Sequence, residues 1–146
     1  MISLKGNTDN GSGGYLSDYD IAEVFAELGL KANGVPVSIF GNHVVNTAAE
    51  ISEDTGWLFG IKINKAANTG DWAFSYNYRD IDVDAVIGGL NDSDFSNGGT
   101  GGKGHKFGVK YQCAKNVQAA LTHFDNQKGS EDVNYNRTQA DLIFKF

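Results

Sequence analysis

The last ten residues of the chain, Arg137 to Phe146, constrain the fold most, because their side chains alternate in polarity. Every second position is apolar or small, and the positions between are polar in four of five places. A β-strand turns successive side chains to opposite sides, so the pattern predicts a strand with one apolar and one polar face. Ten residues also suffice to cross a bilayer as a tilted strand. The apolar positions are Thr138, Ala140, Leu142, Phe144 and Phe146.

The same alternation recurs in six earlier stretches and predicts an all-β protein whose antiparallel strands follow one another as a meander. With the final strand, the predicted strands cover residues 20–31, 35–45, 57–64, 71–80, 105–112, 117–124 and 137–146. Residues 2–5 are a candidate short eighth strand. We treat residues 1–146 as one domain, either a barrel or the C-terminal part of one. Alternation fits a transmembrane barrel with lipid on its apolar face, or a soluble barrel or sandwich that buries that face.

The lengths of the connections favour the membrane barrel. Connections at 31–34, 65–70 and 112–116 are short, and they alternate with long ones at 46–56, 80–104 and 125–136. Outer-membrane barrels have short turns on the periplasmic side and longer loops on the other. A soluble barrel has no reason to keep this rhythm. The soluble alternative, a barrel or sandwich that binds a small apolar ligand, therefore ranks second.

Composition argues against several other classes of protein. The chain has 12 basic and 18 acidic residues, a net charge of −6, which argues against a nucleic-acid-binding surface. No uninterrupted apolar run approaches 18 residues, so a transmembrane helix is not expected. A single cysteine, Cys113, permits no internal disulfide and no cysteine metal cluster. The first residues do not read as a signal peptide, so an exported protein would be represented by a mature or truncated form.

Two loop motifs suggest ligands, but each lacks a required part. Residues 99–104 match G-x-G-x-x-G, yet a predicted strand follows where a dinucleotide site needs a helix. These glycines instead allow a long loop to fold tightly. Five aspartates between residues 80 and 94 could offer oxygen ligands to calcium, but the acidic residue that closes such a loop is missing. We expect a solvated acidic loop, no metal and no cofactor.

Nothing in the sequence predicts an enzyme. No serine stands with a base and an orienting acid in a recognisable motif. His43, His105 and His123 are far apart and lie in strands or at their ends. His123 occupies an outward position, where an interfacial ring is a simpler interpretation than a catalytic base.

Residues 56–146 resemble the C-terminal part of a bacterial putative-porin family. The resemblance is carried by Gly70-Asp-Trp72, Asp84-Ala-Val86, Asn91-Asp-Ser-Asp-Phe95, Gly98-Gly-Thr100, Gly104-His-Lys-Phe-Gly108 and the closing strand from Asn134 to Phe146. It implies a many-stranded outer-membrane pore for small hydrophilic solutes. It also implies that the C-terminal aromatic residue, Phe146, is read by the barrel insertion machinery. Family members are longer, so the chain is expected to form either a barrel or part of one.

The predicted inward faces of the strands suggest a basic pore wall. Six cations and one carboxylate are expected to line it, and such a wall concentrates anionic solutes. Alternatively, carboxylates on the strands or on an inward-folded loop neutralise these cations, and loop 80–104 is the obvious candidate. The predicted pore-lining residues are Lys62, Arg79, Lys106, Lys110, Arg137, Asp141 and Lys145.

The aromatic side chains predict two interfacial girdles in contact with outer-membrane lipid. Trp72, Tyr111 and Phe146 belong near the short turns, at the periplasmic side. Trp57, Tyr78 and Phe107 lie toward the long loops. Expected partners are lipid, the insertion machinery, small solutes and a homo-oligomeric assembly, but not nucleic acid.

Overall fold

Seven antiparallel strands form one sheet in which each strand pairs with the next along the chain. The structure, a computed structural model, describes residues 4–129 and 133–145. Two 3-10 turns, Gly88–Leu90 and Phe95–Asn97, lie between the fourth and fifth strands. Within the described ranges, no helix is both long and apolar enough to cross a membrane. The strands are β1 (Ile21–Ala32), β2 (Val35–Asn46), β3 (Thr55–Ile63), β4 (Trp72–Ile81), β5 (Gly102–Ala114), β6 (Val117–Lys128) and β7 (Val133–Phe144).

The predicted all-β antiparallel meander is confirmed. Of the candidate strand 2–5, residues 1–3 lie outside the described residues, and Leu4 and Lys5 belong to no strand. Cys113 lies in β5, at a register shift between Gln112 and Ala114. The turn predicted at 112–116 is therefore confined to residues 115–116.

The connection predicted at 125–136 is mostly strand. Asp125 pairs with Asn136, and Gln127 pairs with Asn134, beyond the stretches of β6 and β7 that were predicted as strands. Ladder hydrogen bonds join backbone groups and do not require an apolar face, so pairing continues after the apolar alternation stops. The same effect places the start of β5 at Gly102, inside the predicted loop 80–104.

The two edges of the sheet are β1 and β7, and they do not pair with each other in the described part of the chain. In a meander of seven antiparallel strands, the first and the last run in the same direction. Closure into a wholly antiparallel barrel therefore takes an odd number of additional strands between these edges.

The buried core lies on one side of the sheet, beneath the connection between β4 and β5. Phe95 of that connection and Phe124 of β6 are 0% and 1% exposed. Ala85 of the same connection is also fully buried. On the other side, large apolar side chains of the described strands, such as Phe74 and Leu142, remain about half exposed.

We expect substitution of Gly60 by valine to destabilise the sheet. An added Cβ at Gly60 would lie 2.5 Å from Cζ of Phe40 and 2.5 Å from the carbonyl oxygen of Tyr76. Overpacking of this kind typically costs roughly 1–3 kcal/mol. Urea unfolding of the folded protein, followed by gel mobility without boiling, measures the change.

The matched control is Gly29→Val in β1, because nothing lies within 4 Å of a Cβ added at Gly29. The control should unfold close to the unchanged protein. Equal losses of stability in the two variants would contradict the packing described for Gly60.

Candidate functional site

The pairing register separates the strand side chains into two continuous faces. The apolar face contains the row Leu28, Ile39, Ile61, Tyr76, Phe107, His123 and Thr138, together with every second residue along each strand from these. The remaining strand positions form the polar face. A one-residue slip would exchange the two faces, so the register itself assigns each side chain.

The apolar face is open to its surroundings. Trp72 and Phe74 are 50% and 49% exposed, and Leu142 is 59% exposed. Apolar surfaces this continuous mark a site of contact with lipid or with another apolar surface. The soluble alternative requires the same side chains to be buried in a core, and they do not lie in one.

Aromatic rings on the apolar face form two groups, one near each end of the strands. Near the short turns, the ring centroids of Trp72 and Tyr111 are 4.5 Å apart. Near the long connections, Tyr78 lies 5.3 Å from Trp57 and 4.9 Å from His105. Five of the six predicted interfacial aromatics are described.

Phe107 and Phe146 complete that set of predictions. Phe107 contacts Tyr76 at 5.2 Å, one row of the apolar face further from the long connections than Tyr78. Phe146 lies outside the described residues. His105 was not among the predicted interfacial side chains, although its position two residues before Phe107 places it on the same face.

The boundary of the apolar surface that lies nearest the long connections runs diagonally across the sheet. It passes through Trp57 on β3, Tyr78 on β4, His105 on β5 and His123 on β6. From β3 to β6 this limit moves two rows, about 14 Å at ~3.4 Å per residue, over three strand spacings of ~4.8 Å. The slope is about 45°, close to the tilt of strands in a transmembrane barrel. The next residues toward the long connections are Thr55, Asp80, Lys103 and Asp125.

If the strands were tilted by about 45° from the membrane normal, this diagonal boundary would lie parallel to the plane of the membrane. The polar extensions of β5, β6 and β7 would then stand above a flat boundary, which is the shape expected where strands leave a bilayer. This slope arises only when the alternation of several strands is combined with their pairing register.

On the polar face, three cations meet two carboxylates from the β4–β5 connection. Asp92 accepts a hydrogen bond from Nζ of Lys106 at 3.0 Å and lies 3.6 Å from Nη2 of Arg79. Asp94 accepts a hydrogen bond from Nη1 of Arg137 at 2.9 Å. Residues 82–101 therefore fold against the polar face. Three of the seven predicted pore-lining residues pair with this acidic loop.

Buried aromatic rings support two of these cations. The guanidinium of Arg79 lies 4.5 Å from the ring centre of Phe95, and Nζ of Lys106 lies 5.0 Å from that of Phe124. Such cation–π contacts stabilise a partly desolvated charge. Neither phenylalanine was predicted to matter. A large aromatic residue at a polar-face position of β6, as Phe124 is, signals that something covers that face.

The Asp92 carboxylate is held in its charged form. Burial opposes ionisation, but the backbone N–H of Asp94 and the cations Lys106 and Arg79 outweigh it, so the pKa of Asp92 is lowered from 3.8. Hydrogen bonds and positive charge both favour a carboxylate over a carboxylic acid. The contact between loop and sheet is therefore ionic at neutral pH.

The other four predicted pore-lining residues form no ion pair with the acidic loop in the part of the chain that the structure describes. Nζ of Lys62 lies 3.9 Å from Glu27, with both side chains about half exposed. Asp141 accepts hydrogen bonds from Gln139 at 3.0 and 3.1 Å. Lys110 faces the same side as Lys106. Lys145 lies one residue beyond β7.

Asp84 anchors the N-terminal segment, residues 4–20, to the base of the same connection. Its carboxylate is fully buried and accepts hydrogen bonds from the backbone N–H of Thr8 at 2.9 Å and from Oγ of Ser17 at 2.7 Å. Burial, reinforced by the charge of Asp84, raises the pKa of Tyr19 to about 12. The N-terminal segment is thus tied to the loop by charge-assisted bonds.

The glycine-rich run allows a close approach of these two segments. Gly99 has φ 88°, and the carbonyl oxygen of Lys5 occupies the space that a side chain would need. The same oxygen accepts a hydrogen bond from the N–H of Thr100 at 2.9 Å. A strand follows at Gly102, not a helix, so the G-x-G-x-x-G match does not have the setting of a dinucleotide site.

The aspartates of this loop are separated by their partners. Asp82 accepts from Thr55, Asp84 from Ser17, Asp92 from Lys106 and Asp94 from Arg137. In the part of the chain that the structure describes, no group of three or more acidic, histidine or cysteine side chains could hold a metal ion.

A model of one protein family matches residues 16–146, and that family is described as "Putative porin". The match spans all seven strands and the β4–β5 connection. Neither a curated protein nor a solved structure matches the chain.

We expect Asp92→Asn to loosen residues 90–99 while leaving the sheet paired. The change leaves Lys106 without its anionic partner in a partly buried site, a loss of roughly 1–2 kcal/mol. Hydrogen exchange of the backbone amides in residues 90–99 should accelerate, and that of β5 and β6 should not. The control is Glu27→Gln, since its pair with Lys62 is long and exposed.

The same contact predicts a pH dependence. A carboxylate whose pKa is lowered on folding stabilises the folded loop above its ordinary pKa of 3.8, and this contribution is lost as pH falls through the lowered value. Protection of the loop should thus persist from neutral pH to about 4 and fall only below it. Loss of protection between pH 7 and 5 would contradict the assignment.

Proposed function

The chain belongs to the putative porin family, and on that premise we propose that it forms part of the wall of an outer-membrane channel for small hydrophilic solutes. Solutes cross by passive diffusion, without a covalent step. The polar face lines the water-filled interior, and the apolar face contacts the hydrocarbon of the bilayer. The single observation that carries the proposal is the open apolar face with its diagonal polar limit.

Energetics favour this assignment of the two faces. A leucine or phenylalanine side chain gains roughly 1.5–3 kcal/mol when it leaves water completely, and side chains that start about half exposed, such as Phe74 and Leu142, gain a part of that. Backbone groups within a bilayer need internal partners, and the continuous ladder supplies them except at the two edges. We infer that an odd number of further strands completes the wall between β1 and β7.

We further propose an orientation. The short turns lie at the periplasmic side, with Trp72 and Tyr111 in the girdle there, and the long connections face outward with Trp57 and Tyr78. Phe146, which lies outside the described residues, would be the residue read by the insertion machinery.

The charge pattern supports a mild preference for anions. Three cations face two carboxylates in the loop contact, so Arg79, Lys106 and Arg137 are largely but not fully compensated. Lys110 adds a charge with no carboxylate close to it in the described residues. A slightly positive narrow pore raises the local concentration of anions. The inward-folded loop reduces this preference relative to an uncovered basic wall.

We expect the full-length protein in a planar bilayer to conduct potassium chloride with weak anion selectivity. Reversal potentials in a salt gradient measure the selectivity. Replacing both Asp92 and Asp94 by asparagine should increase anion selectivity, because two compensating charges are removed. Replacing Lys106 and Lys110 by glutamate should reverse it.

The matched control is Asp125→Asn, which removes a charge from the apolar-face side of β6 beyond His123. It should leave the reversal potential unchanged. Absence of conductance would reject the channel. A cation-selective channel, or one indifferent to the lysine substitutions, would reject the proposed charge pattern alone.

A further inference from the structure

A cavity of about 450 Å³ lies on the polar face, between strands β1 to β4 and residues 86–92 of the inward-folded loop. Most of its wall is apolar, although it faces the polar side of the sheet. Val44 is buried, Leu58 and Ile81 are half-buried, and Leu90 is 84% exposed. A water-filled channel has no need of such a wall, so the cavity suggests a ligand with an apolar part.

Arg79 is the one cationic side chain that lines this cavity in the described residues. It is only 14% exposed, and it is held against the ring of Phe95. Its ion pair with Asp92 is long, at 3.6 Å, and its Nε atom is buried without a hydrogen-bond partner. A guanidinium offers five N–H donors, so this one is underused.

The carboxylates around the cavity already have partners. Asp92 accepts a direct hydrogen bond from Lys106 at 3.0 Å and another from the N–H of Asp94 at 3.1 Å. Glu23 accepts from Nδ2 of Asn42 at 2.7 Å. The group in the site that can still accept a ligand is therefore the Arg79 guanidinium, which is a hydrogen-bond donor and a cation. An anion fits it better than an ammonium group does.

We propose that this cavity is a binding site for small monocarboxylates with a short alkyl chain. The carboxylate accepts hydrogen bonds from the guanidinium of Arg79, whose planar fork matches two carboxylate oxygens. The alkyl chain packs against Val44, Leu58 and Leu90. The inference rests on the proposed function for its setting in a channel, and it adds a solute class to that function.

A chain-length series of acetate, butanoate and hexanoate tests the site. Saturation-transfer NMR or calorimetry on the folded full-length protein in detergent gives the affinities. Each added CH₂ group that leaves water should strengthen binding about fourfold. Butan-1-ol and butylammonium should bind at least tenfold more weakly than butanoate, since neither supplies the anion.

Two substitutions at Arg79 test the charge-assisted contact. Arg79→Gln should weaken butanoate binding by roughly tenfold or more, because the charge-assisted bonds are lost. Arg79→Lys should restore part of the binding, because it keeps the cation but not the planar fork. Butan-1-ol binds through the apolar wall alone, so its affinity should be the same in Arg79→Gln as in the unchanged protein. Lys115→Gln, in the turn between β5 and β6 and outside the cavity, should bind butanoate as the unchanged protein does.

The outcomes separate this site from the channel. Conductance in bilayers without chain-length-dependent carboxylate binding would overturn the site and leave the channel standing. Butanoate binding that survives Arg79→Gln, or that Arg79→Lys does not restore in part, would also overturn it. Carboxylate binding by a protein that does not conduct would uphold the site and reject the channel.

Discussion

Backbone pairing holds Tyr76 between Ile61 and Phe107, and a shift of this register by one residue would exchange the two faces of the sheet. Every other feature follows from that ladder. It aligns seven alternating strands into one exposed apolar surface, and it gathers the charges on the opposite side. It also gives the apolar limit its slope, which no strand possesses alone. A bilayer accommodates such a surface, whereas water does not.

The polar face depends on compensation of charge. Arg79 on β4, Lys106 on β5 and Arg137 on β7 share one face of the sheet and would repel one another if they were alone. Asp92 and Asp94 reach them from the inward-folded loop, and Phe95 and Phe124 fill the space beneath. Asp84 then fixes the base of the loop to the N-terminal segment. The loop is thus held at both of its ends and narrows the space over the sheet.

The number and order of the strands, and the division of their side chains between two faces, could be predicted from the sequence. The alternation of polar and apolar residues is a local pattern, and antiparallel pairing keeps side chains of the same kind on the same face. The ends of β5, β6 and β7 could not be predicted, since backbone pairing continues past Asp125 and Asn136 without any apolar pattern. The loop contact was foreseen as an alternative, but not which aspartate meets which cation. Those contacts join residues up to 43 positions apart, such as Arg137 and Asp94, and depend on the path of the loop. The apolar cavity beside Arg79 has no local signal at all, because residues from four strands and one loop form it.

The most direct test of this account is the environment of two adjacent residues in β6. Leu121 belongs to the apolar face and Thr122 to the polar face, so spin labels at Leu121→Cys and Thr122→Cys report opposite sides of one strand. The native Cys113 is exposed and is first replaced by serine. In protein reconstituted into bilayers, oxygen should relax the label at 121 strongly and a water-soluble nickel complex should relax it weakly, with the reverse at 122. Equal access of the nickel complex to both labels, or an immobilised and inaccessible label at 121, would contradict a lipid-facing apolar surface.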